Sequence, residues 1–173
     1  MKTITLALVM VVNSFGIAPI NRTKKAEPGR QTVTGQQKPE TMEKGAAKVV
    51  SDFLTAVQKG DNATVAASLH PNIEWNQPGN NRFSGAKKSS TEVFQMVGGM
   101  LEVSAHTLEL TDVKVTAVNG NTVACLVHWK AVKPTGLVLD VDNIDVYTVE
   151  NEQIVSAKVY SADITQEDDF WQK

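Results

Sequence analysis

Two long β-forming runs near the end of the chain constrain its fold more than any other segment. Residues 136–163 read GLVLDVDNIDVYTVENEQIVSAKVYSAD. Apolar and polar residues alternate in both runs, which are separated by the polar break ENEQ at residues 150–153. Alternation with a period of two on either side of a short polar break is typical of an antiparallel hairpin. We therefore predict a long hairpin in which each strand buries one face.

Asp145 lies in the middle of the first run, between apolar neighbours. On a β-strand it shares a face with Val141, Asn143, Tyr147 and Val149. If that face lines an interior, Asp145, Asn143 and Tyr147 are polar groups of a pocket, and burial raises the pKa of the Asp145 carboxyl. A protonated Asp145 would then donate a hydrogen bond to a ligand carbonyl. The alternative is that this face packs outside or against a second copy, with Asp145 paired to a cation.

The segments before this hairpin predict three helices, one short strand and a second hairpin. Apolar residues recur at helical spacing from residue 49 to 57 and from residue 93 to 101, and a shorter helix is expected over residues 63–69. We predict Thr41 as the N-cap of the first helix, a short strand from Ile73, and Ser84-Gly85 as the entry to the third helix. Asn119-Gly120 is a strong signal for the second hairpin.

Three helices followed by four long antiparallel strands define an α+β domain. Helices laid on one face of a curved antiparallel sheet make a cone with an interior. The acidic tail carries Phe170 and Trp171, and we expect these aromatic side chains to pack back on the domain.

The first 41 residues differ in composition from the rest of the chain. Residues 1–16 combine a short positive start, an apolar run and the small residues Ser14 and Gly16, which is typical of a cleaved signal peptide. Residues 17–41 are polar and proline-containing, and predict a flexible linker. We therefore expect a secreted or periplasmic protein whose folded domain spans residues 42–173. An uncleaved N-terminal anchor is the alternative; after cleavage no stable membrane anchor is expected.

Composition and histidine spacing argue against several functions. A net charge of −2 gives no support for nucleic-acid binding. The single cysteine, Cys125, lies in an apolar run and is expected to be a small buried hydrophobe. Because His70, His106 and His128 lack the paired spacing of a metal site, we expect no metal or cofactor. His128 lies mid-strand, where it could be a general acid or base or a hydrogen-bonded structural residue.

In the order of its elements the chain resembles the nuclear transport factor 2-like superfamily, in particular its SnoaL-like and ketosteroid-isomerase-like branch. The resemblance rests on the segment FLTAVQKGDNATVAASLHPNIEW, on Phe83-Ser84-Gly85, on the Asn-Gly hairpin and on DVYTVENEQIVSAKVYSAD. It covers roughly residues 43–163 and implies a cystatin-like fold. The superfamily hosts isomerases, cyclases, dehydratases and hydrolases, as well as binding modules without activity.

The resemblance also implies positions for a site. The ketosteroid-isomerase base would fall at residues 75–77, which hold no carboxylate, although Glu74 is adjacent. The tyrosine of the oxyanion hole falls on Phe53, which has no hydroxyl, whereas Asp145 matches the second member of that hole. Steroid isomerisation is therefore not expected, because the proton acceptor and half of the anion stabilisation are missing.

Three functions remain open. The first is a domain that binds a small, largely apolar molecule in the cone-shaped pocket. Its expected pocket residues are Phe53, Trp75, Asn76, Phe94, Asn143 and Tyr147. The second is an enzyme of the cyclase, isomerase or hydrolase type that uses Asp145, with His128 as a possible partner. An enzyme needs at least two convergent ionisable groups in the interior, whereas a binding domain needs one or none.

The third function is a dimeric interaction module. Long strands with apolar residues on both faces leave one face that needs cover. Leu126 and Ile144 lie on the alternation opposite to Asp145. We therefore expect a homodimer that forms through the open face of the sheet, whichever of the three functions applies.

Overall fold

The structure, a computed structural model, describes residues 39–172. The predicted signal peptide and the predicted linker up to residue 38 lie outside that range. Among the described residues, no helix is long and apolar enough to cross a membrane. The elements are α1 (Pro39–Lys59), α2 (Asn62–Ser68), β1 (Leu69–Gln77), β2 (Gly85–Lys87), α3 (Ser90–Val103), β3 (Glu109–Asn119), β4 (Thr122–Val132), β5 (Val138–Glu150), β6 (Gln153–Ser161) and α4 (Ile164–Trp171).

Helix α1 begins at Pro39, so the N-cap that we predict at Thr41 is wrong, and residues 39–41 are helical. Proline is favoured in the first helical turn, because the N–H group that it lacks would have no partner there. Glu40 in the same turn complements the positive end of the helix dipole. The helix ends at Lys59 and is followed by Gly60, whose φ of 67° is a left-handed conformation that favours glycine.

The six strands form one curved sheet in the order β2-β1-β6-β5-β4-β3. All neighbouring strands are antiparallel except β1 and β6, which are parallel. The predicted long hairpin is β5–β6, and its two turn residues, Asn151 and Glu152, have φ values of 48° and 63°. Positive φ at both positions matches the right-handed twist of the flanking strands. The predicted α+β fold with three N-terminal helices and a curved sheet is confirmed.

Two element boundaries predicted from the sequence are wrong. Strand β1 already starts at Leu69, which is buried beside Ile154 of β6, so pairing in the sheet replaces the predicted end of the second helix. Helix α3 starts at Ser90 rather than after Gly85, which belongs to the short strand β2. The N-cap of α3 is Ser89, whose side chain accepts a hydrogen bond from the backbone N–H of Glu92.

The chain ends in a fourth helix, α4, which the sequence analysis missed. Asp163 caps it by accepting a hydrogen bond of 2.9 Å from the backbone N–H of Gln166. Phe170 and Trp171 are buried and contact each other edge to face, and Trp171 also contacts Phe83, so the expected packing of these aromatic side chains is confirmed.

A carboxylate on α4 also anchors the loop between β1 and β2. Asp168 Oδ1 accepts hydrogen bonds of 2.8 Å from the backbone N–H of Asn80 and from the side-chain amide of Asn81. A side chain at Gly79, which has φ of 88°, would collide with this carboxylate. The loop and α4 are therefore held against each other by polar contacts as well as by the aromatic cluster.

The two faces of the sheet differ in burial. On β5 every second residue from Leu139 to Val149 is buried, including Asn143, Asp145 and Tyr147. These residues form one core with side chains of α1, α3 and α4. We call this the inner face of the sheet. The opposite side, which carries Ile144 and Tyr160, is the outer face.

Candidate functional site

Asp145 stands at the centre of the inner face. Its backbone pairs with Cys125 of β4 and Val159 of β6, and the residue is only 3% exposed. Its Oδ2 accepts a hydrogen bond of 2.8 Å from the Tyr147 hydroxyl, whereas its Oδ1 is buried and has no hydrogen-bond partner among the described residues. Burial raises the pKa of Asp145 to about 7; the hydrogen bond from Tyr147 opposes this shift, and the nearby Glu167 carboxyl adds to it.

Two aromatic rings pack against Tyr147, the hydrogen-bond partner of Asp145. The Tyr147 ring meets Phe53 at a centroid distance of 5.8 Å and Trp75 at 6.2 Å, both edge to face. Burial, together with the Asp145 carboxyl, raises the pKa of Tyr147 well above 10, so this phenol remains protonated. Phe53, at the position matched to the oxyanion-hole tyrosine, has no hydroxyl. Tyr147 instead places a hydroxyl beside Asp145. Trp75 is partly exposed and marks the side of this group nearest to solvent.

A second carboxyl, Glu167 of α4, also lies inside and was not predicted. It is 2% exposed, and its Oε1 has no hydrogen-bond partner among the described residues. Burial raises the pKa of Glu167, although hydrogen bonds with Ser161 and Asn143 oppose that shift. The sequence contains a signal for the helix: Asp163 and Gln166 have the spacing of a capping box, followed by the apolar pair at residues 170–171.

Asn143 completes the polar cluster. It is buried, and its Oδ1 has no hydrogen-bond partner among the described residues. Asn143 and Asp145 are two residues apart on one strand face, which places their backbones about 7 Å apart. Asn143 opposes the rise in the pKa of Glu167, and the Glu167 carboxyl adds to the rise in the pKa of Asp145, so these side chains influence one another. We call Asn143, Asp145 and Glu167, with Tyr147 and Ser161, the inner polar cluster.

Asn76 and Phe94 are not part of this cluster, although both were predicted to line the pocket. Asn76 alternates with Trp75 along β1 and is therefore exposed on the outer face, where its backbone pairs with Lys158. Phe94 is 38% exposed, whereas the buried residues of α3 are Val93, Met96 and Met100. Of the six predicted pocket residues, the structure brings together Phe53, Trp75, Asn143 and Tyr147.

His128 lies on the outer face and is not brought to Asp145. Its Nδ1 is 2.6 Å from Asp142 Oδ1 and its Nε2 is 2.9 Å from Asp140 Oδ1, while Lys130 binds the other oxygen of Asp140 at 3.0 Å. These contacts place His128 in a network of polar and charged side chains on the sheet surface. The predicted partnership of His128 with Asp145 in one active site is therefore wrong, because the sheet separates the two side chains.

The remaining predicted positions do not add a base or a metal ligand to the interior. Glu74, the carboxylate nearest to the isomerase base position, is exposed on the outer face opposite Ser156. Cys125 is buried beside Asp145, and burial raises the pKa of its thiol to about 11, so it remains a thiol. Within residues 39–172 no group of three or more His, Cys, Asp or Glu side chains could hold a metal ion.

A curved, unclosed six-stranded sheet covered by helices is the fold of cystatin-like, nuclear transport factor 2-like domains. A family model described as a SnoaL-like domain matches residues 50–157. The chain belongs to this SnoaL-like family.

Solved structures agree with this assignment. A protein of unknown function with a cystatin-like fold from Xanthomonas campestris is 33% identical over 74% of this chain and 98% of its own length, with a TM-score of 0.70. TerC, co-crystallised with polyporic acid, is 12% identical over 75% of this chain and 99% of its own, with a TM-score of 0.65. A protein from Jannaschia sp. CCS1, named as a candidate SnoaL-like polyketide cyclase, is 15% identical over 80% and 99%, with a TM-score of 0.62. No curated protein matches the chain.

Proposed function

We propose that the inner side of the sheet binds a small, largely apolar molecule, with Asp145 as the polar anchor. The observation that carries this proposal is the Oδ1 atom of Asp145, which is buried and has no hydrogen-bond partner among residues 39–172, on a strand face whose other residues include core side chains. Leaving such a group unsatisfied costs about 1–3 kcal/mol, so a ligand that contacts it gains an interaction that the free protein lacks. Few polar groups in an apolar setting are typical of small-molecule sites.

The surroundings of Asp145 support the same proposal. The rings of Phe53, Trp75 and Tyr147 offer an apolar wall, and the partly exposed Trp75 lies nearest to solvent. TerC, whose fold is similar, has been co-crystallised with polyporic acid, which is consistent with a small molecule as the kind of ligand.

Binding can be tested with toluene, benzyl alcohol and acetophenone, followed by NMR of the protein. We expect the indole N–H signal of Trp75 and the ring signals of Tyr147 to shift, since both side chains belong to the proposed site. Asp145→Leu should fold and still take up toluene, but should bind the two polar probes at least tenfold more weakly. Asp140→Leu, on the outer face, is the matched control and should bind like the wild type. If no probe shifts either residue at millimolar concentration, the proposal fails.

A second candidate function, acid–base catalysis of the cyclase or isomerase type, is favoured by Glu167. This residue supplies the second buried ionisable group that a binding domain would not need. In this function Asp145 and Glu167 would exchange a proton with a carbonyl compound. The acetophenone samples test it when prepared in D₂O, because catalysis would exchange the methyl hydrogens of the ketone for deuterium. Exchange that persists unchanged in Glu167→Gln would remove Glu167 from the reaction.

We also propose a homodimer that forms through the outer face. Leu126, Ile144 and Tyr160 align across β4, β5 and β6, and Ile144 and Tyr160 are 40% and 48% exposed. We expect sedimentation equilibrium to show a dimer for the wild type and a monomer for Ile144→Asp, since the new charge would be buried in the interface. Ile164→Asp, at an equally exposed site on α4, should remain dimeric. A wild-type protein that is monomeric at high concentration would contradict this proposal.

For localisation we propose secretion or export to the periplasm. The support is the short positive start, apolar run and small residues of residues 1–16. Mass spectrometry of the protein recovered from its native host should give a mature chain that starts after Gly16; a full-length chain would argue for an anchored or internal protein.

A further inference from the structure

When Asp145 and Glu167 are ionised, the inner polar cluster has more hydrogen-bond acceptors than donors. The hydroxyl of Tyr147 donates to Asp145 Oδ2, and Ser161 and Asn143 are the neighbours that favour the charged form of Glu167. Three buried oxygens are left without a partner among the described residues: Asn143 Oδ1, Asp145 Oδ1 and Glu167 Oε1. Buried polar atoms in native proteins are almost always paired, so three such acceptors in one cluster indicate a missing group that donates hydrogen bonds.

The charged groups that act on the carboxyls of the inner polar cluster are also all negative. The charged groups that act on Glu167 are Asp168 and Asp163, and the charged group that acts on Asp145 is Glu167, so all of them are acidic. Lys158, on the strand next to Asp145, instead extends over the Tyr160 ring on the outer face. Within the described part of the chain, no cation is recorded that would compensate the ionised form of either carboxyl.

The rings of Phe53, Trp75 and Tyr147, next to the inner polar cluster, can contact a cation as well as an apolar group. Phe53 and Trp75 pack edge to face against Tyr147, whose hydroxyl binds Asp145, and aromatic rings attract cations to their faces. A molecule with a charged head and an apolar body would therefore find a partner for each part within this one region.

We propose that the inner site binds an apolar amine, whose protonated head donates hydrogen bonds to Asn143 Oδ1, Asp145 Oδ1 and Glu167 Oε1. A primary ammonium group has three donors and no acceptor, which matches three acceptors without donors. The apolar body of the amine lies among Phe53, Trp75 and Tyr147. This inference rests on the proposed binding function and adds the chemical class of the ligand.

A ligand with a carbonyl or a hydroxyl group fits the cluster less well. A carbonyl accepts a single hydrogen bond from protonated Asp145 and leaves the oxygens of Asn143 and Glu167 without donors. A hydroxyl supplies one donor for three acceptors. Neither provides a positive charge that would compensate an ionised carboxyl inside the protein.

The test compares benzylamine with benzyl alcohol, which has nearly the same size and shape, by calorimetry at pH 8 and pH 5. At pH 8 we expect benzylamine to bind at least tenfold more tightly than benzyl alcohol. At pH 5 we expect this preference to fall at least fivefold, because the amine keeps its charge while Asp145, whose pKa burial raises to about 7, takes up a proton. The other titratable groups that face the cluster are Tyr147 and Cys125, which stay protonated at both pH values, and Asp163 and Asp168, which act on Glu167.

Two variants test whether the carboxyls of Asp145 and Glu167 cause the preference for an amine over an alcohol. Glu167→Gln and Asp145→Asn should each abolish most of the preference for benzylamine over benzyl alcohol, whereas Asp140→Asn on the outer face should keep the preference of the wild type. If Asp145→Asn does not fold, the amine preference of Glu167→Gln and the pH dependence of the wild type still test the inference. Equal or tighter binding of benzyl alcohol at pH 8 would overturn the amine inference and leave the proposed function standing. Failure of both probes to bind would overturn both.

Discussion

Replacing Asp145 with asparagine is expected to raise the free energy of unfolding at pH 8 by roughly 2–4 kcal/mol and to leave it almost unchanged at pH 4. The substitution keeps the size of the side chain and an acceptor for the Tyr147 hydroxyl, which binds Oδ2 at 2.8 Å. It removes only the ability to ionise. A buried carboxyl that must either stay protonated or carry an uncompensated charge destabilises the fold at neutral pH.

The sign of this effect follows from the pKa of Asp145, which burial raises from 3.8 to about 7. Below pH 3.8 the carboxyl is protonated in both the folded and the unfolded chain and contributes no difference. As the pH rises towards 7 the unfolded chain loses its proton first, so stability falls throughout that window and stays low above it. A shift of about 3 units corresponds to roughly 4 kcal/mol, which is the upper limit of the expected gain in Asp145→Asn.

Urea unfolding of the wild type and of Asp145→Asn at pH 4, 6 and 8 measures this difference. The advantage of the variant should grow between pH 4 and pH 8. Asp140→Asn is the control, because Asp140 is exposed and hydrogen bonds from Lys130 and His128 lower its pKa. This control should gain no stability at pH 8. A variant Asp145→Asn that is less stable than the wild type at pH 8 would show that the carboxylate is stabilised where it stands.

Replacing Phe170 with alanine is expected to lower the free energy of unfolding by about 3–5 kcal/mol. Phe170 is 1% exposed, its ring centroid is 4.7 Å from that of Trp171, and Lys133 lies 5.0 Å from its centre. Removal of the ring leaves a cavity where α4 meets the rest of the core. The effect tests the docking of α4, and therefore the position of Glu167.

Phe94→Ala is the matched control, since it makes the same chemical change at a site that is 38% exposed. We expect it to lower the free energy of unfolding by less than about 1 kcal/mol. Both values can be obtained by denaturant unfolding at one pH. A small effect for Phe170→Ala, similar to that of Phe94→Ala, would mean that α4 does not form part of the core, and Glu167 would then lose its place in the site.

Those parts of the fold that depend on local periodicity could be predicted from the sequence. The period of two along β5 predicted that Asn143, Asp145 and Tyr147 share a face, and this grouping is what the structure shows. The parallel pairing of β1 with β6 could not be predicted in the same way, because it joins Trp75 to Ala157, which are far apart in the chain. Pairing of this kind depends on tertiary packing and leaves no local pattern.

The candidate site was predicted only where it lies on one strand. Glu167 is an acidic residue in an acidic tail and reads as a solvated group, and its burial follows from contacts of α4 with the loop that contains Asn81. His128 was predicted as a possible catalytic partner of Asp145 only because a histidine can act as a general acid or base. The register between β4 and β5, which pairs Asp145 with Cys125 and Asp142 with His128, was needed to separate their faces.

The most direct test of the central claim, that Asp145 is a buried polar anchor in an apolar interior, is an NMR titration of its side-chain carboxyl carbon. Glu167 should be followed in the same experiment, because two interacting carboxyls titrate as a pair. The account predicts that the Asp145 signal moves with an apparent pKa close to the value of about 7 expected from its burial. A pKa at or below the ordinary value of 3.8 would mean that the carboxylate is solvated or paired with a cation, and would contradict the account.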